Sequence, residues 1–184
     1  MASLIYVDNS NLIGVGGELL GSSGFGGGFF ACRYSRLFDM LTFGETPSRA
    51  RLYGSSETNK SHAAVSAAAV NAGFEPRIFR RAYGAKEKGV DTALVTDLIA
   101  DSFTVYAPGD ELILVAGDGD YLPLVEHLKS RDIRLSVVFW DGGLSQGLRA
   151  SGCNWVSLQP HLRSLIHFIP HKSTPRLADQ SCHD

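Results

Sequence analysis

Two short apolar runs end abruptly in acids, and no other feature constrains this chain as tightly. Leu112-Ile113-Leu114-Val115-Ala116 leads into Gly117-Asp118-Gly119-Asp120-Tyr121, and Leu4-Ile5-Tyr6-Val7 leads into Asp8-Asn9-Ser10-Asn11. Runs of that length, bounded by glycine or turn formers, read as strands buried on both faces in a parallel sheet. In open α/β sheets, ligands bind at the C-terminal edge of the strands. Carboxylates gathered there repel one another unless a cation neutralises them. Two strands that discharge acids at one edge therefore point to a divalent-metal site.

The rest of the chain fits such a sheet. Strands are expected over 3–7, 49–54, 75–81, 112–116, 134–140 and 155–158. Helices are expected over 29–43 (Tyr34, Leu37, Phe38 and Leu41 at helical spacing), 61–72, 91–103, 121–130, 144–150 and 162–168. Between the first strand and the first helix, eight of the fifteen residues over 14–28 are glycine. Glycine is entropically costly in regular elements, so this stretch reads as an irregular flap over the site, dispensable for folding. Strands alternating with helices give an α/β fold, a three-layer α/β/α sandwich with a mainly parallel sheet. One domain over 1–168 is expected, followed by a polar, proline-punctuated and disordered tail over 169–184.

Composition narrows the function classes. A chain of 184 residues is long enough for one well-buried core. A net charge of −2 supplies no global attraction to nucleic acid, so such a partner must be held by a local basic patch. Cys32, Cys153 and Cys182 are widely spaced and odd in number, with no C-x-x-C pair. Together with the lack of a secretory leader pattern, they lead to the expectation of a reducing, cytoplasmic compartment. No apolar run approaches the roughly 20 residues that span a bilayer, so no membrane partner is expected.

The acids are the candidates for chemistry. Asp8 and Asp118–Asp120 end strands, and Asp91 opens the helix that leads into the 112–116 strand. If those two strands are neighbours at the switch point of a doubly wound sheet, all four carboxylates converge. Hard oxygen ligands suit Mg²⁺ or Mn²⁺, and there is no Cys/His set for zinc. Structural readings stand beside this one: Asp91 and Asp120 suit helix caps, and Asp8-Asn9 suits a turn.

With these residues in view, the chain resembles the NYN domain, the LabA-like and YacP-like branch of the PIN-like nucleases. The resemblance rests on three blocks in order: Asp8-x-x-Asn11, Lys88-Gly-Val-Asp91-Thr-Ala-Leu-Val-Thr-Asp97 and Ala116-Gly-Asp-Gly-Asp-Tyr-Leu-Pro-Leu-Val125. It implies a PIN-like, Rossmann-like fold and a metal-dependent ribonuclease, most simply an endoribonuclease, using Mg²⁺ or Mn²⁺. It matches the family's acidic positions to Asp8, Asp91 and Asp118, with Asp120, Asn11 and Asp97 in support. Asn11 would position a ligand or the scissile phosphate, and Asp120 would ligate the metal or orient water. Ala116 stands where the family usually has serine. Asp97 ranks lower, because six residues after Asp91 is about 600° of helical rotation and places it on another face.

Arg77, Arg80, Arg81, Lys86 and Lys88, with Tyr83 among them, form a dense basic segment ahead of Asp91. Beside an acidic centre it makes sense as an RNA-binding patch, with Tyr83 stacking on a base; as a plain surface it would be a solvated edge. RNA is the expected partner, DNA stays open, and self-association into a homo-oligomer is compatible with the sequence. The glycine-rich stretch lacks both the P-loop lysine and G-x-G-x-x-G spacing. His62, His127, His161 and His167 lack ligand spacing, and Ser145 and Cys153 lack a partner pattern. Phe38, Leu41, Phe79, Phe139, Trp140 and Trp155 read as core. The alternative function is a non-catalytic RNA-binding or regulatory protein on the same scaffold, which the gathered acids disfavour. Phosphatases of the haloacid-dehalogenase type need Asp-x-Asp after the first strand, and toprim domains need glutamate there; neither is present.

Overall fold

The computed structural model describes residues 2–21, 28–83 and 89–170. Along them run β1 (Ser3–Asp8), α1 (Asn9–Leu19), β2 (Gly28–Cys32), α2 (Tyr34–Thr42), β3 (Arg49–Ser56), α3 (Asn59–Ala72), β4 (Glu75–Arg80) and α4 (Val90–Thr104). They are followed by β5 (Glu111–Val115), α5 (Leu122–Ser130), β6 (Leu135–Phe139), α6 (Gln146–Ala150), β7 (Asn154–Ser157), α7 (Leu162–Leu165) and β8 (Ile166–Pro170). A one-turn 3₁₀ helix, Gly119–Tyr121, joins the region after β5 to α5.

Six strands form one parallel sheet in the order β4-β3-β1-β5-β6-β7, flanked by helices. Setting β2 aside, the chain walks outward from β1 to β3 and β4, then returns past β1 to lay down β5, β6 and β7. That is the doubly wound arrangement, and its switch point lies between β1 and β5. Leu4 to Val7 and Leu112 to Val115 sit side by side there and are buried throughout, which accounts for their unbroken apolar character.

One face of this sheet is unusually polar. Tyr6 donates its hydroxyl hydrogen to Asp101 of α4 at 2.7 Å, and Arg51 Nη1 reaches the same carboxylate oxygen at 2.9 Å. Arg51 Nε also holds Glu75 at 3.0 Å, and Tyr53 donates to Asp97 at 2.8 Å. Of these, Arg51 and Asp101 are buried, and such charges persist because each has a partner. Since strand side chains alternate, Asp8 shares with Tyr6 the face on which α4 packs.

Three expectations about local structure are corrected. Where residues 14–28 are described they do not form an irregular flap: α1 continues through Gly14, Gly16 and Gly17 to Leu19, and Gly28 is the first residue of β2. The glycines there serve close packing. A Cβ on Gly16 would meet Ile166 Cγ1 at 2.8 Å and Trp140 Nε1 at 3.2 Å, and one on Gly17 would meet the Phe30 ring at 2.6 Å. Residues 22–27 lie outside the described set. The helix expected over 29–43 begins only at Tyr34, because Phe29 to Cys32 pair antiparallel with β8. The helix expected over 162–168 is a single turn before the chain extends into β8, which runs to Pro170, inside the expected tail. Phe30 packs edge-on against Phe168 across this small second sheet, with ring centroids 5.5 Å apart. The remainder of the expected tail, 171–184, also lies outside the described residues.

Candidate active site

β1 ends in Asp8, which is 3% exposed. Its extended backbone makes it the N-cap of α1: Oδ1 accepts the Asn11 N–H at 3.0 Å, as an aspartate at that position commonly does. The other oxygen, Oδ2, accepts the hydroxyl of Tyr121 at 2.9 Å. The same hydroxyl stands 3.2 Å from Oδ1 of Asp91. Asp91 lies in the first turn of α4, whose N-cap is Gly89 at φ 82°, so Asp91 itself is not the cap. Both carboxylates sit at helix N-termini, where unpaired N–H groups favour the anion.

Asp118 follows β5 on the adjoining strand. It is exposed, and its Oδ1 accepts the backbone N–H of Asp120 at 3.0 Å, which caps the 3₁₀ turn. The cap of that turn is thus Asp118 and not Asp120, whose side chain is exposed. Asn11 ties the two strand ends together, its Oδ1 accepting the Gly117 N–H at 2.8 Å. Gly117 must be glycine, since a Cβ would run into the Phe139 ring and the Gly143 carbonyl at 2.5 Å. Ser145 belongs to the scaffold too: its N–H donates to the Gly117 carbonyl and its hydroxyl caps α6.

Tyr121 is the residue that sequence reasoning passed over. It is 1% exposed. Burial above all, then the charges of Asp8 and Asp91, push its phenol far above its ordinary pKa, so it remains a proton donor. The available signal was its place directly after Asp118-Gly-Asp120, where a phenol follows two acids at a strand end. Asn9 was also unassigned; it is buried and accepts the Tyr34 hydroxyl at 2.9 Å, anchoring α2 to the start of α1.

Asp97 sits apart from these acids. Burial would raise its pKa, but hydrogen bonds from Tyr53 and Arg77 and the positive charges of Arg51 and Arg77 outweigh it and hold the carboxyl below the usual range. It therefore belongs to the cationic network beneath α4. Arg77 is engaged there as well, with Nη2 3.1 Å from Asp97. Arg81 pairs with Glu57 at 3.1 Å. Arg80 is exposed and Tyr83 is 91% exposed, leaving both faces open to a large ligand. Lys86 and Lys88 lie outside the described residues.

Among the described residues, no three of the His, Cys, Asp and Glu side chains stand close enough to share one ion. What is preassembled is the meeting of Asp8 and Asp91 at one hydroxyl, with Asp118 at the end of the neighbouring strand. This donor set is carboxylate oxygen only, the chemistry that suits Mg²⁺ or Mn²⁺.

The model of the NYN domain matches residues 4–154, from the first strand to the start of β7. The chain belongs to the NYN domain family. NYN domains are a branch of the PIN-like nuclease superfamily, whose members generally use divalent metals. Over 70 residues the chain is 30% identical to the low amplitude and bright protein LabA of Synechococcus elongatus, a match covering 38% of this chain and 37% of LabA. The chain thus spans well under half the length of that relative. The fold matches the crystal structure of a Vibrio parahaemolyticus protein of unknown function with a TM-score of 0.68 and 23% identity, over 85% of this chain and 92% of the other. Among the described residues, no helix is long and apolar enough to cross a membrane.

Proposed function

We propose that this NYN domain is a divalent-metal-dependent ribonuclease that hydrolyses RNA phosphodiester bonds. The observation that carries the reading is the convergence of Asp8 and Asp91 on the Tyr121 hydroxyl at the β1/β5 switch point, with Asp118 three residues past the end of the adjoining β5. A groove built only to bind phosphates would not gather carboxylates. Asp8, Asp91 and Asp118 would hold Mg²⁺ or Mn²⁺, which supplies an activated water and neutralises charge on the phosphodiester. Asp120, exposed beside Asp118, serves to ligate the metal or orient the attacking water. Asn11 keeps the β1 and β5 ends in register through Gly117. Arg80 and Tyr83 offer a phosphate contact and a stacking face, so the RNA path runs past the end of β4. The free thiols Cys32 and Cys153 suit a reducing, cytoplasmic setting.

The test is incubation of purified protein with total RNA in Mn²⁺, in EDTA, and with an Asp118→Asn variant. Cleavage in Mn²⁺ alone, abolished by EDTA and by the substitution, is expected. RNA retention without cleavage under every condition overturns the nuclease reading in favour of a binding protein on the same scaffold.

A further inference from the structure

We propose that Tyr121 is the positioning residue of the acidic centre: its hydroxyl holds the Asp8 and Asp91 carboxylates at the mutual placement from which they grip a divalent cation. This rests on the metal reading above and deepens it. The three acids come from three separate elements, the end of β1, the start of α4 and the residues after β5. Tyr121 directly follows Asp120 and lies three residues after Asp118, and its hydroxyl touches the other two acids at 2.9 and 3.2 Å. One side chain thus connects all three elements.

The hydroxyl has one proton for two carboxylates. The shorter contact, to buried Asp8, takes it, and Asp8 is also fixed on its other oxygen by the Asn11 N–H. Asp91 meets the phenol at the longer distance and on an exposed helix turn. The one hydroxyl thus fixes the distance between the buried Asp8 and the Asp91 carboxylate at the start of α4. Packing alone does not call for this hydroxyl: a phenylalanine would fill the same volume, and the polar atom is set against the two acids. Partners that orient metal ligands in this way typically govern metal affinity by 10–100-fold.

The experiment is Tyr121→Phe, with Mn²⁺ affinity measured by calorimetry on the full chain and, in parallel, the Mn²⁺ dependence of cleavage. A dissociation constant at least tenfold weaker is expected, with the half-saturating Mn²⁺ concentration rising more than the saturated rate falls. An unchanged or tighter constant overturns the positioning role while leaving the metal reading intact. Wild-type protein that binds no Mn²⁺ overturns the metal reading and this inference with it. If the variant does not fold, wild-type protein carrying ¹³Cζ-tyrosine decides the matter. Mg²⁺ should then shift the one tyrosine resonance that Mn²⁺ broadens most, and the shift should vanish in Asp91→Asn. Tyrosine resonances indifferent to saturating Mg²⁺ overturn the proposal.

Discussion

Two glycines of α1, six and eight residues after Asp8, give opposite answers to one substitution. Gly14 and Gly16 both lie in α1, two residues apart. At Gly14 an added Cβ finds nothing within 4 Å, the position is exposed, and the backbone is ordinary helix. Gly14→Ala therefore gains only helix propensity, about 1 kcal/mol, which raises the melting temperature by roughly 2–4 °C in a domain of this size. At Gly16 the same methyl sits 2.8 Å from Ile166 Cγ1 and 3.2 Å from Trp140 Nε1. Ile166 is pinned in β8, and the Trp140 indole is fully buried and donates to the Leu12 carbonyl at 2.9 Å, so neither neighbour yields easily. Overpacking costs about 1–3 kcal/mol and exceeds the same propensity gain, so Gly16→Ala lowers the melting temperature. The assay is thermal unfolding of both variants beside the wild type. Two small shifts of the same sign would show a loose loop in place of a packed helix, and the account of α1 would be wrong.

Further outcomes follow from the site and the network beside it. Asp118→Asn should abolish Mn²⁺-dependent cleavage while changing stability by no more than about 0.5 kcal/mol, because the amide oxygen can still accept the Asp120 N–H; activity and melting curves on one preparation check both halves. Arg80→Ala should weaken RNA binding and reduce the log–log salt slope by about 1, whereas Arg77→Ala, whose guanidinium is committed to Asp97, should leave the slope unchanged in the same titrations. Asp97 has a folded pKa below its unfolded value, so its contribution is complete near neutrality and is lost as pH falls through the folded value. Asp97→Asn should therefore be less stable than wild type at pH 7 but lose less stability between about pH 5 and pH 2, as read by denaturant melts across that range.

What the chain discloses before folding divides along a physical line. The six strands of the parallel sheet and the helices α3, α4 and α5 are readable because each carries its own signal: a buried apolar run, a helical stripe, or a closing glycine such as Gly73 at φ 103°. The strand-end acids are readable for the same reason, since the topology of a parallel sheet puts every such end on one edge. What escapes is whatever depends on a partner far away in sequence. Phe29 to Cys32 has helical and strand potential alike, and only β8, more than a hundred residues later, decides for the strand. The glycines of α1 look like flexibility until Trp140, Ile166 and Phe30 are seen pressed against them.

The acidic centre shows the same division within a few residues. Asp8 and Asp118 announce themselves as carboxylates after buried strands. That Asp8 meets Asp91 depends on strand parity, because Asp8 falls on the face that α4 covers, with Tyr6 two residues earlier bonded to Asp101 on the same helix. Moving Asp8 by one residue in register would turn it away from α4 and from Tyr121 altogether. The buried pairing of Tyr6, Arg51 and Asp101 thus does more than satisfy charges: it locks α4 against β1 and β3 at one height, and with it the position of Asp91. Through that helix, the polar network beneath α4 and the acids at the sheet edge form one mechanical unit, although they share no ligand.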